Sequence, residues 1–169
     1  KDTKKLTTIT NDDKSYVATI QLGATTDTLD IESKITKKKE IPRLNKNVIE
    51  NVLKSFLGES AQTPPMYSAK KINGKKLYDL ARKNISVKRT PTNITIKNIE
   101  LLEFKGSSIR FSVTCTKGTY IRVLGKDIAE KLGTVGYLVR LIRTRVGEHL
   151  IQDSKTIENF RVSWKSFGY

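Results

Sequence analysis

Cysteine and histidine are nearly missing: one thiol, Cys115, excludes an internal disulfide, and one imidazole, His149, leaves no cluster able to hold a metal. A reducing, cytoplasmic setting is the simplest expectation. His149 has no Ser or Cys at a recognisable spacing, so it reads as a surface or strand-end residue rather than a base that activates a nucleophile. No apolar run approaches the roughly 20 residues that span a bilayer and no lipidation motif is present, so no membrane partner is expected. Acidic residues are the other shortage. Lys and Arg number 32 against 17 Asp and Glu, a net charge of +15. That excess asks for a polyanionic partner, with nucleic acid first. The start, Lys1-Asp2-Thr3-Lys4-Lys5, has neither an initiating Met nor a secretory signal and reads as the start of a fragment or processed chain.

What is present suits one domain with a real core, since the chain has 169 residues and 37% of them are hydrophobic. Tyr16, Ala18, Ile20 and Leu22 alternate on one face of a first strand that Gly23 ends. A polar stretch from Ala24 to Glu40 includes a mobile basic run, Lys37-Lys38-Lys39. Asn45 caps a helix whose stripe is Val48, Ile49, Val52, Leu53, Phe56 and Leu57, closed by Gly58. Thr63-Pro64-Pro65 precedes a predicted strand over Met66 to Ile72, then an Asn73-Gly74 turn and a short helix with Leu77, Leu80 and Ala81 inward, ended by Asn84. Ile85 to Arg89 reads as an edge segment, and Ile94 to Leu101 begins a strand that turns at Lys105-Gly106 into Ser108 to Cys115. Val135 to Leu138 fits one turn of helix, Val139 to Val146 a last core strand, and the tail from Ser154 a short helix whose Trp164 and Phe167 need cover. The order predicts an α+β domain with a mixed, mostly antiparallel sheet and flanking helices.

The segment Cys115-Thr116-Lys117-Gly118-Thr119-Tyr120-Ile121-Arg122 joins the end of an apolar strand to an amphipathic helix through a glycine turn. Ile121, Leu124, Ile128 and Leu132 form the helix stripe, Thr119 is the predicted N-cap and Gly133 the stop. An arginine in the first turn opposes the helix dipole, so Arg122 is either a solvated surface charge or a cation that wants an outside anion. Cys115 falls on the apolar face of its strand, where a buried structural thiol is the expectation.

These blocks resemble the TruB family of tRNA pseudouridine synthases, which isomerise the T-loop uridine at position 55. Lys14-Ser15-Tyr16-Val17-Ala18 is similar to the family's Lys-x-Tyr-x-Ala motif, and Thr26-Asp27-Thr28-Leu29-Asp30 to its Thr-Asp-Thr-x-Asp segment. Pro64 to Ala69, Asn73 to Tyr78, Lys117 to Arg122, and Leu141 with Arg143 to Gly147 supply the rest, so the likeness runs from about Lys14 to Gly147. It implies the pseudouridine synthase catalytic fold over residues 1–150, incomplete at its N-terminus, with a tail over 151–169 too short for an RNA-binding PUA domain. It also implies tRNA, through its T arm, as the partner and no metal or organic cofactor.

By the same resemblance, Tyr16 stacks on a flipped uracil where a proton must leave C5, although a core tyrosine at a strand start fits the pattern too. Arg122 pairs with the catalytic aspartate. Leu141 packs against the target nucleotide, and Lys117 and Tyr120 of the same motif bind substrate. Asp27 either lines the cleft or forms an Asx turn. Lys70, Lys71, Lys75, Lys76, Arg82, Lys83, Lys88 and Arg89 form the densest basic region expected to hold RNA, joined by Arg143 and Arg145. One departure matters. The family's essential aspartate lies in a Gly-x-Leu-Asp-Pro type segment, and residues 1–13 contain none. The chain is therefore expected to be inactive alone, and the alternative is a catalytically silent RNA-binding or RNA-folding module on the same scaffold. The sequence leaves the oligomeric state open, with a monomer expected at full length.

Overall fold

Period-two alternation decides the sheet. The computed structural model describes residues 12–165, and in it β1 (Lys14–Leu22) turns Ala18, Ile20 and Leu22 into the core before Gly23, at φ +89°, ends the strand. The polar stretch is not structureless: β2 (Ala24–Thr26) and β3 (Ile35–Lys38) pair as a hairpin, with Lys37 and Lys38 inside it. β-branched Thr25, Thr26, Ile35 and Thr36 favour the extended backbone there. Helix α1 (Lys46–Lys54) is capped as expected, Asn45 Oδ1 accepting the Val48 N–H at 3.0 Å. It stops before Phe56 and Leu57, and Gly58 opens β4 (Gly58–Gln62) instead of closing the helix. Pairing of that strand with a later one outweighs one more helical turn.

The strand expected over Met66 to Ile72 shrinks to β5 (Lys71–Ile72), which meets β6 (Lys75–Lys76) across a turn with Asn73 and Gly74 both at positive φ. Pro64-Pro65 removes two donors, and the Ser68 and Lys70 carbonyls bond Tyr78 and Leu77 at the start of α2 (Leu77–Arg82) instead of a ladder. The Ile85 to Arg89 edge segment is not a strand either, because the Ile85 N–H turns back to the Leu80 carbonyl at 3.0 Å. β7 (Thr92–Lys105) and β8 (Ser108–Cys115) form the long hairpin that the alternation predicts. Helix α3 (Ile121–Lys131) follows, capped by Tyr120 and not Thr119, whose hydroxyl closes the preceding turn by donating to the Thr116 carbonyl at 2.8 Å. Gly133, at φ +86°, ends it as expected.

The helical turn expected over Val135 to Leu138 does not form: residues 136–138 open β9 (Gly136–Val146), which pairs with β1 from its first residue. β10 (His149–Leu150) and α4 (Ile157–Lys165) complete the chain, and Trp164 of α4 is exposed with its ring 5.7 Å from Phe160. Phe167 lies outside the described residues. The sheet order is β10-β9-β1-β8-β7-β4, every pair antiparallel, in agreement with the α+β expectation. Helices α1 and α3 cover one face, where Ile20, Ile49, Phe111, Leu124 and Ile128 make the centre of the core. Ser15, Thr19, Arg110, Ser112 and Thr114 alternate onto the other face, which an antiparallel sheet can leave to water. No helix among the described residues is long and apolar enough to cross a membrane.

Candidate active site

Helix α3 is seated on the sheet without clearance. A Cβ at Gly125 would lie 2.7 Å from Ile20 Cγ2, and one at Gly136 would lie 2.7 Å from Ala129 Cβ. Gly136 is paired with Leu22, so α3 runs alongside β1 in the same direction, Gly125 over Ile20 and Ala129 near Leu22. Arg122 precedes Gly125 by three residues, roughly 4.5 Å of helix, and Tyr16 precedes Ile20 by four, roughly 13 Å of strand. The two side chains therefore start roughly 9 Å apart along the strand direction, at the same end of the same sheet face. Between them the register puts Leu141, paired with Ala18 and so on that face, yet 43% exposed. The helix covers the sheet up to this point and leaves Leu141 open.

Arg122 is fixed from three sides. Nη1 donates to the Thr28 carbonyl at 2.7 Å and to Asp30 Oδ2 at 2.9 Å, and Nη2 donates to the Tyr67 carbonyl at 2.6 Å. The pair is well covered, its side chains 23% and 20% exposed. Asp30 is itself ordered: Oδ1 accepts the Thr28 hydroxyl at 2.6 Å and the Glu32 N–H at 3.1 Å. The turn that carries it has Leu29 at φ +63° and is pinned to β9, where the Leu138 N–H donates to the Leu29 carbonyl at 2.9 Å. Of the two acidic residues in this segment Asp27 is exposed, and Asp30 meets the arginine. The carboxylate expected for Arg122 lies outside the chain, and the one it meets here is Asp30, whose signal is its place as the second aspartate of Thr26-Asp27-Thr28-Leu29-Asp30.

Tyr16 pairs with Val113 on one side and Arg143 on the other. Burial pushes its phenol up from the ordinary value and the neighbouring Cys115 acts in the same sense, while the Arg143 guanidinium beside it pulls it down. Arg143 and Arg145, grouped by the sequence, go to different faces: Arg143 sides with Tyr16, and Arg145 Nε donates to Ser15 Oγ at 3.2 Å. Both still line a hollow of about 350 Å³ where β9 meets β10. Cys115 is buried, and burial raises its thiol above the ordinary value, as a structural cysteine requires. Lys117 is exposed in the turn and Tyr120, half-buried, sits at the helix start.

The basic region divides in the same way. Lys71, Lys75, Lys76, Arg82 and Lys83 line a groove of about 590 Å³ with Asp79 as its one carboxylate. Tyr78 organises it, with Lys76 Nζ 5.3 Å and Arg82 Cζ 5.4 Å from its ring centre. Lys70 donates to Thr92 Oγ1 at 2.8 Å, and Lys88 is exposed on the following segment. Arg89 turns inward, Nη1 donating to the Pro64 carbonyl at 3.1 Å with Nε buried.

A family model described as TruB family pseudouridylate synthase (N terminal domain) matches residues 1–121. The chain is 46% identical over 147 residues to a tRNA pseudouridine synthase B of Psychrobacter arcticus, covering 87% of this chain and 39% of that protein. To the protein of that name in Phocaeicola vulgatus it is 41% identical over 160 residues, covering 95% and 68%. Among solved structures it is similar to a Cbf5–Nop10–Gar1 complex, with a TM-score of 0.70 at 26% identity over 99% of this chain and 41% of the other. A structure of an H/ACA RNP bound to a substrate RNA containing 2′-deoxyuridine shares the fold, with a TM-score of 0.65 at 22% identity, covering 99% of this chain and 40% of the other. The chain thus spans less than half of several relatives' lengths.

Proposed function

The chain belongs to the TruB family of pseudouridylate synthases, and on that basis we propose that its full-length protein converts the T-loop uridine at position 55 of tRNA to pseudouridine. The observation that carries the reading is the register that sets Tyr16 and Leu141 on the α3-covered face, at the end where α3 begins with Arg122. The reaction breaks the N1–C1′ bond, joins C5 to C1′, removes the C5 proton and returns one to N1, so atoms balance with no redox partner. A base inside a helix cannot be turned over, so the uridine must leave the stack first. Tyr16 offers an aromatic face for it and a phenol oxygen where the C5 proton must leave, Leu141 an apolar wall, and Arg122 a fixed cation to orient the attacking carboxylate.

We do not assign Asp30 as that attacking group, because it belongs to the Thr-Asp-Thr-x-Asp segment, which the resemblance keeps apart from the segment of the essential aspartate. The carboxylate belongs to a Gly-x-Leu-Asp-Pro type segment that these 169 residues do not contain, so the chain alone binds RNA without turning it over. The groove at Tyr78 would contact the T arm by shape and backbone. The full-length protein should release tritium from tRNA carrying [5-³H]uridine, and Tyr16→Phe should suppress release without weakening tRNA binding. No release from the unaltered protein refutes the isomerase and leaves the RNA-binding module, which the groove supports by itself.

A further inference from the structure

Helix α3 lacks a side-chain cap of its own, and the group that holds its start comes from the far edge of the sheet. Gln62, the last residue of β4 and 6% exposed, accepts the Tyr120 N–H on Oε1 at 2.8 Å and donates from Nε2 to the Tyr120 carbonyl at 3.2 Å. A primary amide offers an N–H donor and a carbonyl acceptor at peptide-like spacing, so it pairs with Tyr120 as a neighbouring strand would. From Gln62 the chain runs through buried Pro64 and Pro65, braced by Arg89 on the Pro64 carbonyl, to Tyr67, whose carbonyl receives Arg122 Nη2 at 2.6 Å. Residues 62–67 therefore grip the first turn of α3 at both ends, at the backbone of Tyr120 and at the guanidinium of Arg122. Two prolines fix φ and leave this strut little freedom to lengthen or bend.

We propose that Gln62 is a positioning residue for the reaction: its two bonds to Tyr120 set where Arg122 stands relative to Tyr16 and the flipped base. Gln62 does not touch substrate and acts only through the helix start. A displacement of about 1 Å at a reacting group can cost about 100-fold in rate, so losing the clamp acts on turnover and leaves the RNA-binding groove, built from other residues, as it was. This rests on the isomerase reading.

The test uses the full-length protein and two variants. Gln62→Met keeps the length and bulk but removes both bonds; Gln62→Asn keeps the amide but is one methylene too short to reach. Steady-state tritium release is measured at a temperature where circular dichroism shows each variant folded. Both should lower kcat by about 10- to 100-fold with KM for tRNA changed less than about twofold. Should Gln62→Met fail to fold, Gln62→Asn alone decides. Wild-type kcat in a folded variant overturns the proposal, and so does a raised KM at unchanged kcat, which would make the strut an RNA-docking device. An unaltered protein without turnover refutes the isomerase reading instead, so the two failures are distinguishable.

Discussion

Gly125→Ala is the substitution whose outcome the geometry constrains most closely. In an exposed helix it would stabilise by about 1 kcal/mol, the difference in helix propensity between the two residues. Gly125 has no positive φ to explain it, and the added methyl would meet Ile20 Cγ2 at 2.7 Å, roughly 1 Å inside the usual carbon–carbon separation. Ile20 is fully buried and has no empty space to turn into, so either its rotamer or the helix must move. Overpacking of this kind costs about 1–3 kcal/mol, which exceeds the propensity gain and leaves a net loss of up to about 2 kcal/mol. If the helix lifts, Arg122 lifts with it, and turnover by the full-length protein should fall as well. Ile20→Ala removes Cγ2 at a cavity cost of about 2–5 kcal/mol, and in that background Gly125→Ala should add back about 1 kcal/mol. Urea unfolding of the four proteins of this cycle, read from midpoints at constant m, measures the sign. A Gly125→Ala protein more stable than its parent would refute the close seating of α3 on β1.

In the full-length protein, Arg122→Lys keeps the charge but replaces a planar fork on Asp30, Thr28 and Tyr67 with one ammonium, so under the proposed function kcat should drop by about 100-fold or more at unchanged tRNA affinity; near-normal turnover would contradict the fork's role. If the groove neutralises about six phosphates, log Kd should rise by roughly 4 per tenfold rise in salt, and a Lys75→Gln, Lys76→Gln, Arg82→Gln triple variant should lower that slope by roughly 2. A flat response in filter-binding titrations would count against the groove. Tyr16 and Cys115 both have pKa values raised on folding, so the unfolded chain releases their protons first; the stability they contribute is complete below the thiol's ordinary 9.0 and falls as pH rises past it and past the phenol's 10.0. Urea midpoints from pH 7 to 11 should decline over that window and decline less in Cys115→Val, whereas an identical decline in both would exclude the thiol.

Where side chains alternate or recur on one face, the sequence was a good guide: β1, the β7–β8 hairpin, the stripe of α3 and the Asn45 cap each have a periodic or capping signal. Elements held by partners far along the chain were not readable. Gly136 begins a strand because β1 offers it a ladder and Ala129 leaves room only for hydrogen, and no local pattern encodes either fact. Met66 to Lys70 has the composition of a strand but no neighbour to pair with, since its carbonyls serve Tyr78, Leu77 and Arg122. Tyr16, Leu141 and Arg122 each stand in a motif that is legible in the sequence alone. Asp30, which holds Arg122, was visible only as a motif member and not as its partner, and the grip of Gln62 on Tyr120 had no signal, because an amide at a strand end looks like ordinary surface until the partner is in place.

The placement of β1 between β8 and β9 also sets an order of events at the ribosome. Its first residue lies about a hundred positions before its nearest partner, Cys115 being 101 residues after Lys14. At translation rates of roughly 5–20 residues per second, β1 spends roughly 5–20 s with both backbone edges unsatisfied, and longer before β9 emerges. Closure of so long a loop is slow, and an unpaired apolar strand invites pairing with another chain meanwhile. Tyr16 leaves the ribosome early but has both strand neighbours, Val113 and Arg143, only once Arg143 has been synthesised, so the open end of the α3-covered face is among the last parts of the molecule to take shape.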